Sequence, residues 1–81
     1  MDKTIFTFGK NATEEVRASL EEYRGHQLFS LRIWFEVEPG KLVPTKKGLS
    51  LRVELFPGLK RAVEKLEAAI IEAGLLDPED L

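Results

Sequence analysis

The run Leu28 to Phe35 carries Arg32 and Trp34 on one stretch, and a short gap later come Pro44, Thr45, Lys46, Lys47 and Gly48. A guanidinium neutralises phosphate, a large ring stacks on a base, and two ammonium groups beside a glycine add cations on a backbone free to bend. A single nucleic-acid strand can use that combination. Taken alone, a Lys-Lys pair reads as a solvated turn; its neighbours give it weight.

Two of these groups depend on a strand to present them. Over Leu28–Glu36 the residues Phe29, Leu31, Ile33 and Phe35 fall on one face and Ser30, Arg32 and Trp34 on the other, so the first set is expected to be core and the second wet. An aromatic beside a cation on a wet face is a contact candidate. The alternative is that Trp34 packs beneath a loop or in a dimer interface.

Charge is distributed unevenly around a formal net of −2. Residues 41–52 hold Lys41, Lys46, Lys47 and Arg52 with no acid, whereas 61–81 hold two bases against six acids. Bulk attraction to duplex DNA is not expected, but a local phosphate site is. The chain has 81 residues and no cysteine, which fits one domain of marginal core and removes disulfides, thiolate metal sites and thiol nucleophiles. The domain is expected to span 1–81, with a core of about 4–73 and an acidic tail over 74–81. Burying a further surface against a second copy would relieve its small core.

The start shows no secretory pattern and no run approaches a membrane span, so the expectation is an intracellular protein with no membrane partner. It would be cytoplasmic or nucleoid-associated in a bacterium and nuclear in a eukaryote. Asn11-Ala12-Thr13 matches a glycosylation acceptor, which in that setting reads as chance.

Thr4–Phe8, bounded by Gly9, reads as a strand. Val16, Ala18 and Leu20 alternate with Arg17, Ser19 and Glu21, which favours a strand, although Glu14, Glu15, Glu21 and Glu22 suit a helix. Glu38-Pro39-Gly40 is a turn, and Leu49–Leu51 returns to the sheet. Leu59, Val63, Leu66, Ile70 and Ala73 then recur at helical spacing between Pro57 and Gly74, predicting about 17 helical residues.

Strand, strand, strand, strand, helix, with Phe8-Gly9-Lys10, Tyr23-Arg24-Gly25, Arg32 with Trp34-Phe35, and Pro44-Thr45-Lys46-Lys47-Gly48-Leu49-Ser50-Leu51, resembles the C-terminal domain of the transcriptional coactivator p15, or positive cofactor 4, in its short bacterial or phage form. The resemblance covers nearly all of residues 5–70. It implies an α+β homodimer in which each chain gives a curved four-stranded antiparallel sheet and a C-terminal helix, and which binds single-stranded DNA with little sequence preference. Carried over, the site residues are Tyr23, Arg24, Arg32, Phe35, Lys46 and Lys47. Alternation favours Trp34 as the stacking ring and the resemblance favours Phe35; a bulge near the strand end would expose the latter.

The chain departs from that pattern at His26, where a second lysine usually follows the loop glycine, and at Glu21, where a base is common. About four extra residues near Asn11–Glu14 point to a longer first hairpin. His26 stays among the nucleic-acid candidates. The competing readings are a dimeric module docking acidic proteins of the transcription machinery, and single-stranded RNA binding. Catalysis is not expected: the lone histidine has no nucleophile at a motif spacing, and no metal or cofactor is implied.

Overall fold

The computed structural model describes residues 2–81. Strands β1 (Lys3–Gly9), β2 (Glu14–Tyr23), β3 (His26–Glu38) and β4 (Lys41–Arg52) form one antiparallel sheet in the order β1-β2-β3-β4. Each strand pairs with its neighbours in sequence, as short hairpin connections dictate. A 3₁₀ turn at Val53–Leu55 leads into helix α1 (Phe56–Glu72), and a second 3₁₀ turn covers Pro78–Asp80.

The glutamate-rich segment that could have been helical is β2. It pairs on both sides, with Glu14 opposite Phe35 and Tyr23 opposite His26 at the two ends of its ladder with β3. Those two ladders outweigh helix propensities of a few tenths of a kcal/mol per residue. The fourth strand is longer than the Leu49–Leu51 reading, because it starts at Lys41 and takes in the basic segment. Pro44 is compatible with this since β4 is an edge strand, where a missing N–H leaves no ladder bond broken.

The first hairpin loop, residues 10–13, is longer than the two-residue turns of the other hairpins, and Asn11 organises it. Its Oδ1 accepts from the backbone N–H groups of Thr13 at 3.0 Å and Glu14 at 2.9 Å, so the side chain imitates a turn. The middle hairpin closes through Arg24 and Gly25 at φ 51° and 80°, the two positive angles of a type I′ turn. At the far end, Gly74 N–H donates to Ile71 O and Leu75 N–H to Ile70 O, both at 3.0 Å. That pair of bonds is a Schellman closure, with Gly74 just past the helix end.

The register separates two faces of the sheet. Val16, Ala18 and Leu20 lie opposite Ile33, Leu31 and Phe29, with Leu49 and Leu51 on the other flank, giving an apolar face. Phe29 is its centre, 7% exposed, and meets Phe56 of α1 edge-on at 5.4 Å between centroids. Phe29 and Ser30 are the buried residues among those described. Phe35, expected in the core, lies at the end of the apolar face and is 41% exposed.

Helix and sheet do not close over one another. Ile5, Leu20, Phe29, Val53, Phe56 and Val63 instead line an open apolar cleft of about 750 Å³ between them. The molecule measures 39 × 35 × 18 Å with a radius of gyration of 14.8 Å, against about 12 Å for a compact chain of this length. Its accessible surface is 6554 Å², where a compact monomer of its mass would show roughly 4,900 Å².

Candidate nucleic-acid interface

The polar face is built from the alternate positions of the same strands. Cross-strand pairing sets Tyr23 opposite His26, Ser19 opposite Ser30, Arg17 opposite Arg32 and Glu15 opposite Trp34 on β2 and β3. On β4, Arg52, Ser50, Gly48 and Pro44 lie opposite Leu28, Ser30, Arg32 and Trp34. Directly opposed residues share a face, so Tyr23, His26, Arg32 and Trp34 form one stripe. From His26 to Trp34 it runs about 26 Å at the usual rise of an extended strand.

In the middle of the stripe, Arg32, Trp34, Pro44, Thr45 and Lys46 line a cleft of about 510 Å³, floored by Ser19 and Ser30. Lys46 gets there because β4 bulges. Between the pairs Arg32/Gly48 and Trp34/Pro44, β3 contributes Ile33 alone while β4 contributes Thr45, Lys46 and Lys47. Thr45 fixes the bulge: its Oγ1 donates to Ile33 O at 2.8 Å and accepts from Lys47 N–H at 3.1 Å. Arg32 Nη1 donates to Thr45 O at 3.1 Å, so the guanidinium braces the loop that carries Lys46 and keeps other N–H groups for a ligand.

Gly48 closes the bulge, and glycine alone fits there. Its φ is +135°, and a Cβ would come within 2.2 Å of Leu31 O and 2.7 Å of Arg32 Cα, both backbone atoms of the strand that holds the site. The glycine beside the lysine pair therefore has a stated job. It lets β4 press against β3 immediately after bulging away from it.

The two lysines separate. Lys46 lines the cleft, whereas Lys47 is near enough to Glu14 for its charge to help hold that carboxyl below its ordinary value. The larger causes of that shift are hydrogen bonds from Asn11 and then Lys10, whose donor nitrogens lie 2.7 and 3.0 Å from Glu14 Oε1. Glu14 pairs with Phe35, so Phe35 belongs to the apolar side, and Lys47 is near that side's Glu14 and outside the cleft lining. Trp34 and Phe35, the two candidate stacking rings, occupy opposite faces.

At the hairpin end of the stripe, Tyr23 is 57% exposed and the Arg24 guanidinium carbon lies 5.1 Å from its ring centroid. Arg52 Nη2 donates to His26 Nε2 at 3.3 Å, which draws Arg52 into the same group. Acids are present too. Glu21 and Asp2 line the central cleft, and they oppose an approaching phosphate.

Arg17 is the residue that motif reading missed. It stands directly opposite Arg32, its guanidinium carbon is 3.8 Å from the centroid of Trp34, and its Nε donates to Glu15 Oε2. The signal was available in the alternation of Arg17 with Val16 and Ala18, which places it on the wet face.

Residues 10–62 match the family model described as Transcriptional Coactivator p15 (PC4). The chain belongs to the PC4 family. All of the site residues named from the sequence fall inside that match. A crystal structure of a PC4 homolog from Burkholderia pseudomallei K96243 superposes with a TM-score of 0.70 at 35% identity, covering 85% of this chain and 97% of that one. A bacteriophage T5 homolog of the eukaryotic coactivator PC4, described as implicated in recombination-dependent DNA replication, shares the fold with a TM-score of 0.63 at 24% identity, covering 93% of this chain and 83% of that one.

The RNA polymerase II transcriptional coactivator KELP of Arabidopsis thaliana is 31% identical over 65 residues, and the match takes in 72% of this chain. The chain spans 39% of KELP's length. PC4 homologs are non-catalytic, and membership of their family gives no ground for an enzyme. Among the described residues, no helix is long and apolar enough to cross a membrane.

Proposed function

We propose that the protein binds single-stranded DNA as a homodimer, with little regard to sequence. The observation that carries this reading is the cross-strand register, which lines up Tyr23, His26, Arg32 and Trp34 on one face and lets the bulge add Lys46. Cations along such a stripe neutralise successive phosphates and release counterions, while the rings offer stacking surfaces worth roughly 1–3 kcal/mol per base. Every base has a π face, so sequence preference is weak. Family membership supports a nucleic-acid- or protein-binding role of this general kind.

Dimerisation is supported by the uncovered apolar surface. Val63 and Leu66 of α1 are 52% and 60% exposed, and a second copy with the same stripe would cover them while filling the cleft beneath. Two sheets curving away from that seam would present two stripes to one strand, and a strand that reaches both binds more tightly than either alone.

The test is a fluorescence titration of Trp34, the one tryptophan, with oligo(dT) at several salt concentrations, alongside light scattering. Binding that weakens steeply with salt, prefers unpaired strands to duplex and accompanies a dimer mass is the expected result. A salt-independent response or a preference for duplex overturns the reading.

A further inference from the structure

The face of Trp34 is already occupied. The Arg17 guanidinium carbon sits over the ring, 3.8 Å from its centroid, and a base stacking on that face needs the same space. Glu15 holds the guanidinium there through an ion pair. Arg17 also stands directly opposite Arg32, a like-charge pairing that is unfavourable unless an anion comes between the two. Its guanidinium is turned to Trp34 and Glu15, while Arg32 is turned to the bulge carbonyl of Thr45.

We propose that Arg17 is a further nucleic-acid ligand that acts as a displaceable cap. In the free protein it covers Trp34, latched by Glu15. When a single strand enters, a base takes the ring face and the released guanidinium joins Arg32 on the phosphate beside that base. The inference rests on the single-strand reading above and assigns Arg17 and Glu15 roles within it. The cap shields a large ring from water while the site is empty, and the opposed arginines gain the anion that their pairing lacks.

A double-mutant cycle on the full chain with oligo(dT), read by Trp34 fluorescence, tests it. Arg17→Ala is expected to raise acrylamide quenching of Trp34 in the free protein and to lower the slope of log affinity against log salt by about 0.7, the loss of one phosphate contact on a single strand. Glu15→Gln is expected to tighten binding several-fold by freeing the latch, and to have less effect once Arg17 is gone. Glu67→Gln on α1 measures the effect of removing an acid away from the stripe.

Unchanged quenching and slope in Arg17→Ala overturn the cap. So does a gain from Glu15→Gln that persists undiminished without Arg17, or that Glu67→Gln matches. If Arg17→Ala lowers the melting temperature too far for use, Arg17→Lys keeps the charge and loses the planar contact, and should raise quenching while preserving the salt slope. Failure of the wild type to bind oligo(dT) at all is a separate result, which removes the single-strand reading together with the cap.

Discussion

On the apolar face, Phe29 is sealed at 7% exposure while Ile5, Phe6, Leu20, Val63 and Leu66 remain between 44% and 63% exposed. On the polar face the charges find partners within the chain: Arg17 has Glu15 and Trp34, Arg32 has Thr45, and Arg52 has His26. One side has its large groups held by contacts within the chain and the other leaves them largely uncovered. Burying apolar surface is the main favourable term in folding, at about 25 cal/mol per Å², and a single chain leaves much of that term unused. On the proposed reading the missing stabilisation lies on the helix side and the ligand chemistry on the far side, so the two should be separable by mutation.

The largest expected effect is on the apolar face. Val63→Asp puts a carboxylate where the second copy is proposed to pack, and should halve the mass seen by light scattering and make the chain melt well below the wild type. If the mass is unchanged, the helix stripe is not the seam and the contrast between the faces loses its explanation.

Next comes Gly48→Ala. The new methyl would meet the backbone of β3, so strain and overpacking together should cost roughly 2–4 kcal/mol, read as a shift in the urea midpoint. A smaller shift would mean that β4 moves aside, and Lys46 with it. Because the bulge serves the polar face, oligo(dT) binding should weaken even at temperatures where the variant is folded.

A finer division is between the lysines. Lys46→Ala removes a cation from the cleft and should reduce the salt slope by about 0.7, with a several-fold loss of affinity. Lys47→Ala removes one outside the cleft lining, and should do distinctly less. Equal losses would break the division between the lysine in the cleft and the one outside it.

The smallest effect concerns acid. Glu14 has its carboxyl held below the ordinary value, first by Asn11 and then by Lys10. A depressed folded value contributes stability above the unfolded value, and that contribution fades as pH falls through the folded one. The first hairpin should therefore loosen between the usual carboxylate range and somewhat below it. Asn11→Ala should move the Glu14 carboxyl signal in an NMR titration upward, toward the ordinary value; no movement would mean that Asn11 is not the principal cause.

Much of this was legible from period alone. Alternation separated Phe29, Leu31 and Ile33 from Ser30, Arg32 and Trp34, and Pro57 and Gly74 bracketed the helix, because each signal is local and repeats. Tyr23, His26, Arg32, Trp34 and Lys46 could be named from residue type and resemblance, but their alignment along one face follows from strand register, which a single chain does not announce. Phe35 illustrates the limit: it has the alternation of a core residue and lies beyond the end of the packed region. Lys46 and Lys47 look equivalent in sequence, and only the bulge divides them. Arg17 escaped notice because it belongs to no motif and gains its meaning from a tryptophan on another strand.

The excess of two residues in β4 has a consequence for how this segment tolerates change. An even excess returns the chain to the same phase, so Ser50 and Arg52 still point the way Pro44 does. Losing one residue of Thr45–Lys47 would leave two residues opposite Ile33, the single-residue excess that β1 already absorbs at Ile5, so Leu49, Ser50 and Leu51 keep their faces only where the shortened loop bulges in the same way. Removal of two residues would restore a regular ladder, whereas removal of one should be accepted only as a bulge.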